Sequence, residues 1–177
     1  MNYPRLIVFD LDYTLWPFWA DTHVQPPLKS RQGGQAVADS NGDSFSFYAQ
    51  VPEILQFCKS LENVQVCLAS RTCDPEIAQT LLKMLTINGE PSASFFDYTA
   101  WGTSSKVGHF KELKAHTLVD FEDMILYDDE ARNQDVERQL GVVFVPVPNG
   151  LNRRVFDEGI TMWKTRRGSP GGSRLMH

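Results

Sequence analysis

The sequence predicts an α/β fold, a doubly wound and mainly parallel sheet, and three observations carry that prediction. Short apolar runs, LIVF at 6–9, VQVCLA at 64–69 and MILY at 124–127, lack the alternation of a half-exposed sheet and read as strands buried on both faces. Amphipathic helical patterns stand between them, and strands alternating with helices build a parallel sheet. With 177 residues, 42% of them apolar and 22% charged, the chain is long enough for one core and has a globular composition.

In chain order, LIVF is the first strand. Residues 17–50 break the alternation: a Pro-Pro pair and DSNGDSFSFY, with Asn41-Gly42 between short extended pieces, predict a hairpin insertion that forms a modest flap. A helix is expected over 52–61, with Ile54, Leu55, Cys58 and Leu61 on one face. The strand at 64–69 follows. The next helix, 74–85, opens on Asp74 as N-cap with Pro75 at its first position. SFFDY at 94–98 is a further strand, and SKVGHFKELKAH at 105–116 a further helix. After the strand at 124–127, the helix at 130–140 is closed by Gly141, and VVFVPV at 142–147 is the last strand. One domain over 1–165 is expected, with 166–177, rich in Gly, Ser and Pro, as a disordered tail.

The net charge of −5 argues against general binding to nucleic acid or membrane surfaces. No stretch is apolar enough to span a bilayer, and MNYPRLIVFD lacks the basic flank and long apolar region of a signal peptide. Cys58, Cys67 and Cys73 are odd in number without CxxC spacing, so free thiols in a reducing compartment, cytoplasmic or nuclear, are expected. A thiolate phosphatase is excluded, because only three residues separate Cys67 from Arg71 and no Arg follows Cys73 at the spacing a Cys-x5-Arg loop needs.

The chemistry gathers at the strand ends, where open α/β sheets bind ligands. The first strand runs into Asp10-Leu11-Asp12-Tyr13-Thr14, the second into Ser70-Arg71-Thr72, and the strand at 124–127 into Asp128-Asp129-Glu130; Lys106 opens the helix before that last strand. Two carboxylates about 4 Å apart repel by roughly 4 kcal/mol at an effective dielectric near 20. A hard cation such as Mg²⁺, which takes carboxylates, waters and a phosphate oxygen, would relieve the repulsion. Ser70, Arg71 and Lys106 offer donors and positive charge to a phosphoryl group. One aspartate can attack phosphorus while a second, two residues on, protonates the leaving oxygen and later deprotonates water.

DLDYT, ASRT, SSK and DDEARN, in this order, resemble the phosphatase branch of the haloacid dehalogenase superfamily. The longer stretches FDLDYTLWPFWADTHVQPP, SKVGHF and YDDEARNQDVE are similar to the small eukaryotic magnesium-dependent phosphatases, over about residues 5 to 147. The resemblance implies Asp10 as nucleophile and metal ligand, and Asp12 as general acid/base with its backbone carbonyl on the metal. It implies Ser70, Arg71 and Lys106 on the phosphate, Asp129 as a metal ligand with Asp128 supporting it, and Thr14 orienting the acid/base loop. It implies a Rossmann-like core without a large cap, acting on phosphotyrosine-type or sugar phosphates, some attached to proteins. The approach to Lys106, SFFDYTAWGTSSK, is longer than in animal members.

The expected activity is therefore that of a magnesium-dependent phosphoric monoester hydrolase, a monomer whose partners are phosphorylated small molecules or proteins. A nucleic-acid end-processing phosphatase would want a basic approach surface. A phospho-accepting receiver would carry adjacent acids on its first strand and its lysine late in the chain. A scaffold without catalysis would not need every polar group present. In WPFW at 16–19, Trp16 is expected to pack, and Phe18 or Trp19 to stand on the rim of the site. His23, His109 and His116 have no ligand spacing, and no chemistry is assigned to them.

Overall fold

The computed structural model describes residues 1–168. Its elements in order are β1 (Leu6–Phe9), α1 (Ala20–His23), β2 (Lys29–Arg31), β3 (Ala36–Ala38), β4 (Ser44–Phe45), α2 (Val51–Ser60), β5 (Gln65–Ser70), α3 (Pro75–Met84), β6 (Thr86–Ile87), β7 (Glu90–Pro91), β8 (Tyr98–Trp101), α4 (Lys106–Thr117), β9 (Met124–Asp128), α5 (Asp135–Leu140), β10 (Val143–Pro146) and α6 (Arg153–Gly168). Five strands form one parallel sheet in the order β10-β9-β1-β5-β8. The chain builds outward from β1 through β5 to β8, then returns to the other side of β1 for β9 and β10. That reversal makes the gap between β1 and β9 the switch point where a crevice opens at the strand ends.

The apolar runs are strands because both of their faces are covered. Every residue of β1 is buried completely. Ile7 and Phe9 face a core shared with α2, α3 and α6, whereas Leu6 and Val8 face a second core shared with α4 and α5. Local signals place the helix starts. The Asp74 side chain accepts from Ile77 N at 3.1 Å, and Ser105 Oγ accepts from Val107 N at 3.1 Å at the start of α4. Gly141, at φ 82°, closes α5 in the left-handed conformation that glycine adopts without strain.

Three expectations are corrected. The fifth strand lies at Tyr98–Trp101 rather than 94–98; Ser92–Phe95 form a helical turn, with Phe95 buried in the core and Ser92 Oγ donating to the Leu82 carbonyl at 2.6 Å. Asp97 is where the chain meets β5: its N donates to the Val66 carbonyl at 2.7 Å and its side chain accepts from Val66 N at 2.8 Å. The helix expected over 130–140 is split into a tight turn at Ala131–Gln134 and α5. Residues 166–168, assigned to the tail, complete α6; the rest of the expected tail, 169–177, lies outside the described residues.

The α6 helix, with no counterpart among the expected elements, is largely charged. It turns only Val155, Phe156, Ile160 and Trp163 inward, around Gly159. A Cβ at Gly159 would lie 2.5 Å from the Tyr127 hydroxyl, so glycine lets the helix close on β9, where that hydroxyl donates to the Phe156 carbonyl at 2.7 Å.

The 17–50 insertion is a three-stranded antiparallel sheet in the order β2-β3-β4 preceded by α1. Its Asn41-Gly42 turn is held by Asp39 Oδ1, which accepts from Asn41 N and Asp43 N, both at 3.0 Å. No large cap domain stands over the strand ends among the described residues.

Candidate active site

The site begins where β1 ends. Asp10 N still donates to the Tyr127 carbonyl at 3.0 Å, continuing the pairing with β9, and the chain then curls away. Tyr13 takes a left-handed φ of 57°, Thr14 N and Leu15 N both donate to the Leu11 carbonyl, and Tyr13 N donates to the Trp16 carbonyl at 2.8 Å. This curl sets Asp12 on the wall of the same cleft as Asp10. Two donors hold Asp12 by the same oxygen: Trp16 Nε1 at 2.7 Å and Ala20 N at 3.2 Å, both to Oδ1. The Thr14 hydroxyl lies 3.1 Å from Asp10 Oδ2 and 3.4 Å from Asp129 Oδ1, able to donate to either.

Lys106 reaches the same point from the first turn of α4. Its side chain is fully buried, and its ammonium donates to Asp10 Oδ1 at 2.8 Å and to Asp128 Oδ2. Asp128, at the end of β9, also accepts from Glu130 N at 2.8 Å and from Asn133 Nδ2 at 2.9 Å. Ser70 is buried at the end of β5, its Oγ accepting from Thr72 N at 3.3 Å. Arg71 lines the cleft, with its guanidinium tied to the Thr103 carbonyl and to Asn133 Oδ1.

Asp10, Asp128 and Asp129 each bring a carboxylate oxygen within 4.8 Å of the others. Lys106 faces two of these carboxylates, Asp10 and Asp128, and burial is the main influence on the titration of Asp10 and Asp129. Burial drives Asp10 well above the ordinary carboxylate value; the charge of Lys106 opposes the rise and that of Asp128 adds to it. Burial likewise raises Asp129. Burial disfavours charge on Lys106, but the facing carboxylates of Asp10 and Asp128 hold its pKa above the ordinary lysine value. Asp12, apart from the cluster, is pushed up to about 6 by burial against the bonds from Trp16 and Ala20. An all-oxygen donor set with surplus negative charge fits a hard divalent cation.

These groups open onto a cleft of about 250 Å³ lined by Asp10, Asp12, Ser70 and Arg71, with Trp19 and Arg132 on its outer wall. A larger hollow of about 530 Å³ at Tyr3, Arg5 and Leu61–Val64 is mainly apolar and holds none of these groups, so the chemistry lies with the smaller one. Of the eight residues expected at the site, Asp10, Asp12, Ser70 and Arg71 line this cleft, whereas Thr14, Lys106, Asp128 and Asp129 gather around Asp10 behind it. Trp16 packs as expected. Phe18 does not reach the rim: it is buried between Trp16, stacked at 5.0 Å, and the edge of Phe45, because the small antiparallel sheet closes over it. Trp19 does, 49% exposed, with Tyr13 edge-on and His23 stacked against it.

Two residues at the site carried no expectation. Asp21, from α1, accepts from Cys73 N at 3.0 Å and Thr72 Oγ1 at 3.4 Å, pinning the loop after Arg71. Asn133 bonds Arg71 and Asp128 at once. Both lie within the stretches that carry the resemblance, but their roles show only once the fold brings Arg71, Thr72 and Cys73 against them.

The profile of the family described as Acid Phosphatase matches residues 2–166. A HAD-like hydrolase superfamily protein of Schizosaccharomyces pombe is 41% identical over 150 residues, covering 82% of this chain and 86% of its own. The Homo sapiens protein named magnesium-dependent phosphatase 1 is 38% identical over 172 residues, covering 97% and 94%. Among solved structures, a HAD-superfamily hydrolase of Geobacter sulfurreducens superposes with a TM-score of 0.59 at 12% identity, over 86% of this chain and 98% of its own, a likeness of fold.

Proposed function

The chain belongs to the acid phosphatase family of the haloacid dehalogenase superfamily, and from that premise and the geometry of its cleft we propose a magnesium-dependent phosphomonoesterase working through an aspartyl-phosphate on Asp10. The observation that carries this reading is the meeting of Asp10, Asp128 and Asp129 with buried Lys106 beside Asp12, at the switch point of the sheet.

The Asp10 and Asp129 carboxylates and the Asp12 backbone carbonyl would hold Mg²⁺, which supplies positive charge to the phosphoryl oxygens and fixes their direction. The chain's own groups do the rest. Ser70, Arg71 and Lys106 donate to the phosphoryl oxygens. A carboxylate oxygen of Asp10 bonds to phosphorus as the bond from phosphorus to the leaving oxygen breaks. Asp12 gives that oxygen its proton. The Asp12 carboxylate then takes a proton from water, whose oxygen displaces Asp10 from phosphorus and releases inorganic phosphate. A carboxyl near 6 serves both steps, since about a tenth of it is protonated at neutral pH. Lys106 keeps Asp10 in place between them through its tie to Asp128.

The resemblance to the magnesium-dependent phosphatases points to phosphotyrosine-type or sugar phosphates as substrates, and a cleft without a large cap among the described residues leaves room for those carried on a protein. The test is p-nitrophenyl phosphate hydrolysis by wild-type and Asp10→Asn protein, with Mg²⁺ and with EDTA. Turnover should need both Asp10 and the metal, and Asp10→Asn should lose at least roughly a thousandfold in kcat. Undiminished turnover in Asp10→Asn would remove the nucleophile.

A further inference from the structure

Asn133 is 2% exposed, in the helical turn after Asp128, and both ends of its amide bond to charged groups of the site. Its Oδ1 accepts from Arg71 Nη1 at 3.3 Å, and its Nδ2 donates to Asp128 Oδ2 at 2.9 Å. A flipped amide would set its carbonyl against a carboxylate and its NH₂ against a guanidinium, so the two charges fix one orientation. Neither bond goes to the backbone, so the side chain caps nothing in its own turn.

The consequence falls on Arg71. Its Nε and Nη2 donate to the Thr103 carbonyl at 3.3 and 3.1 Å, in the loop that leads to Lys106. Asn133 secures the remaining nitrogen, so the guanidinium is anchored from two separate segments. Each terminal nitrogen keeps one N–H without a protein partner among the described residues, a pair suited to a tetrahedral oxyanion. An arginine held in this way has little rotamer freedom left to lose when an anion arrives. On its other side Asn133 meets the carboxylate that holds Lys106, which in turn holds Asp10. One amide therefore joins the guanidinium of the anion site to the charged line behind Asp10.

We propose that Asn133 is the positioning residue that sets the Arg71 guanidinium for the phosphoryl group, an inference that rests on the phosphatase reading above. The experiment is a double-mutant cycle over Asn133→Ala and Arg71→Ala. It reads kcat and KM for p-nitrophenyl phosphate and the inhibition constant of inorganic phosphate. Asn133→Ala should raise KM and the phosphate inhibition constant on the order of tenfold, with kcat changing less. In the Arg71→Ala background the same substitution should change the inhibition constant by less than about twofold. A general loosening of the fold would not vanish with Arg71. If Asn133→Ala does not fold, Asn133→Leu, which keeps the volume and loses both bonds, takes its place in the cycle. Additive effects, or a loss confined to kcat with phosphate affinity unmoved, would overturn the proposal. Absence of turnover in the wild-type protein would remove the phosphatase reading instead.

Discussion

Trp19 stands half-exposed on the cleft wall, with Tyr13 edge-on at 5.1 Å and His23 stacked at 5.4 Å. An aromatic ring beside a phosphate site attracts a planar leaving group more than a hydroxylated one. Trp19→Ala should therefore raise KM several-fold for aryl phosphates and less for sugar phosphates; equal changes would remove Trp19 from substrate recognition. The site was legible at this scale because its charged members sit at strand ends, where four short motifs announce them. Of the two rings offered for the rim, Trp19 stands there, and the sequence did not say which one the small sheet would cover. Asn133 escaped because an amide five residues beyond Asp128 gains meaning only when Arg71 is brought against it.

Among the helices, α4 carries a second buried polar group. His109 is 3% exposed, and neither ring nitrogen has a hydrogen-bond partner among the described residues. Burial and the positive charge of Lys106 hold its pKa below the ordinary histidine value. As the pH falls through about 6.5, the unfolded chain takes up a proton at this residue that the folded chain does not. Stability present above that pH is therefore lost below it. Asp10, Asp12 and Asp129, raised by burial, act in the opposite sense, so the comparison must be a difference. His109→Gln should gain stability relative to wild type between pH about 7.5 and about 5.5, read from urea midpoints; a constant difference would mean that the histidine titrates alike in the folded and unfolded chains.

At this scale the fully buried strands announced themselves, because β1 and the first four residues of β9 form unbroken apolar runs. The helix α6 did not, since its four inward residues are spread among charges such as Arg153 and Asp157, which pair with each other on the solvent side. The strand β8 was displaced because Phe95 and Phe96 resemble strand residues in composition, yet Phe95 fills the core from a helical turn.

For the whole molecule, a cation held, as proposed, by Asp10 at the end of β1 and Asp129 after β9 would join segments far apart in sequence, so binding it would add to the stability of the fold. Mg²⁺ at a hundred times its dissociation constant stabilises by about 2.7 kcal/mol, or roughly 5–10 °C in Tm for a chain of this size. Wild-type protein should show that shift on adding Mg²⁺, and Asp129→Asn should show little of it; the same shift in both would place the cation elsewhere.

The position of β9 beside β1 also bears on how the protein emerges from the ribosome. Leu6 pairs with Gln65 on one side and with Met124 on the other, so one flank of the central strand finds its neighbour early in synthesis and the other waits. A nascent chain halted before Met124 would hold Asp10 at an open sheet edge, without Asp128 and Asp129. Such an edge offers its backbone to any passing strand, which makes this interval the one in which a chaperone would matter most. The proposed chemistry at Asp10 would begin only after translation has delivered residues 124–129 and the sheet has closed around β1.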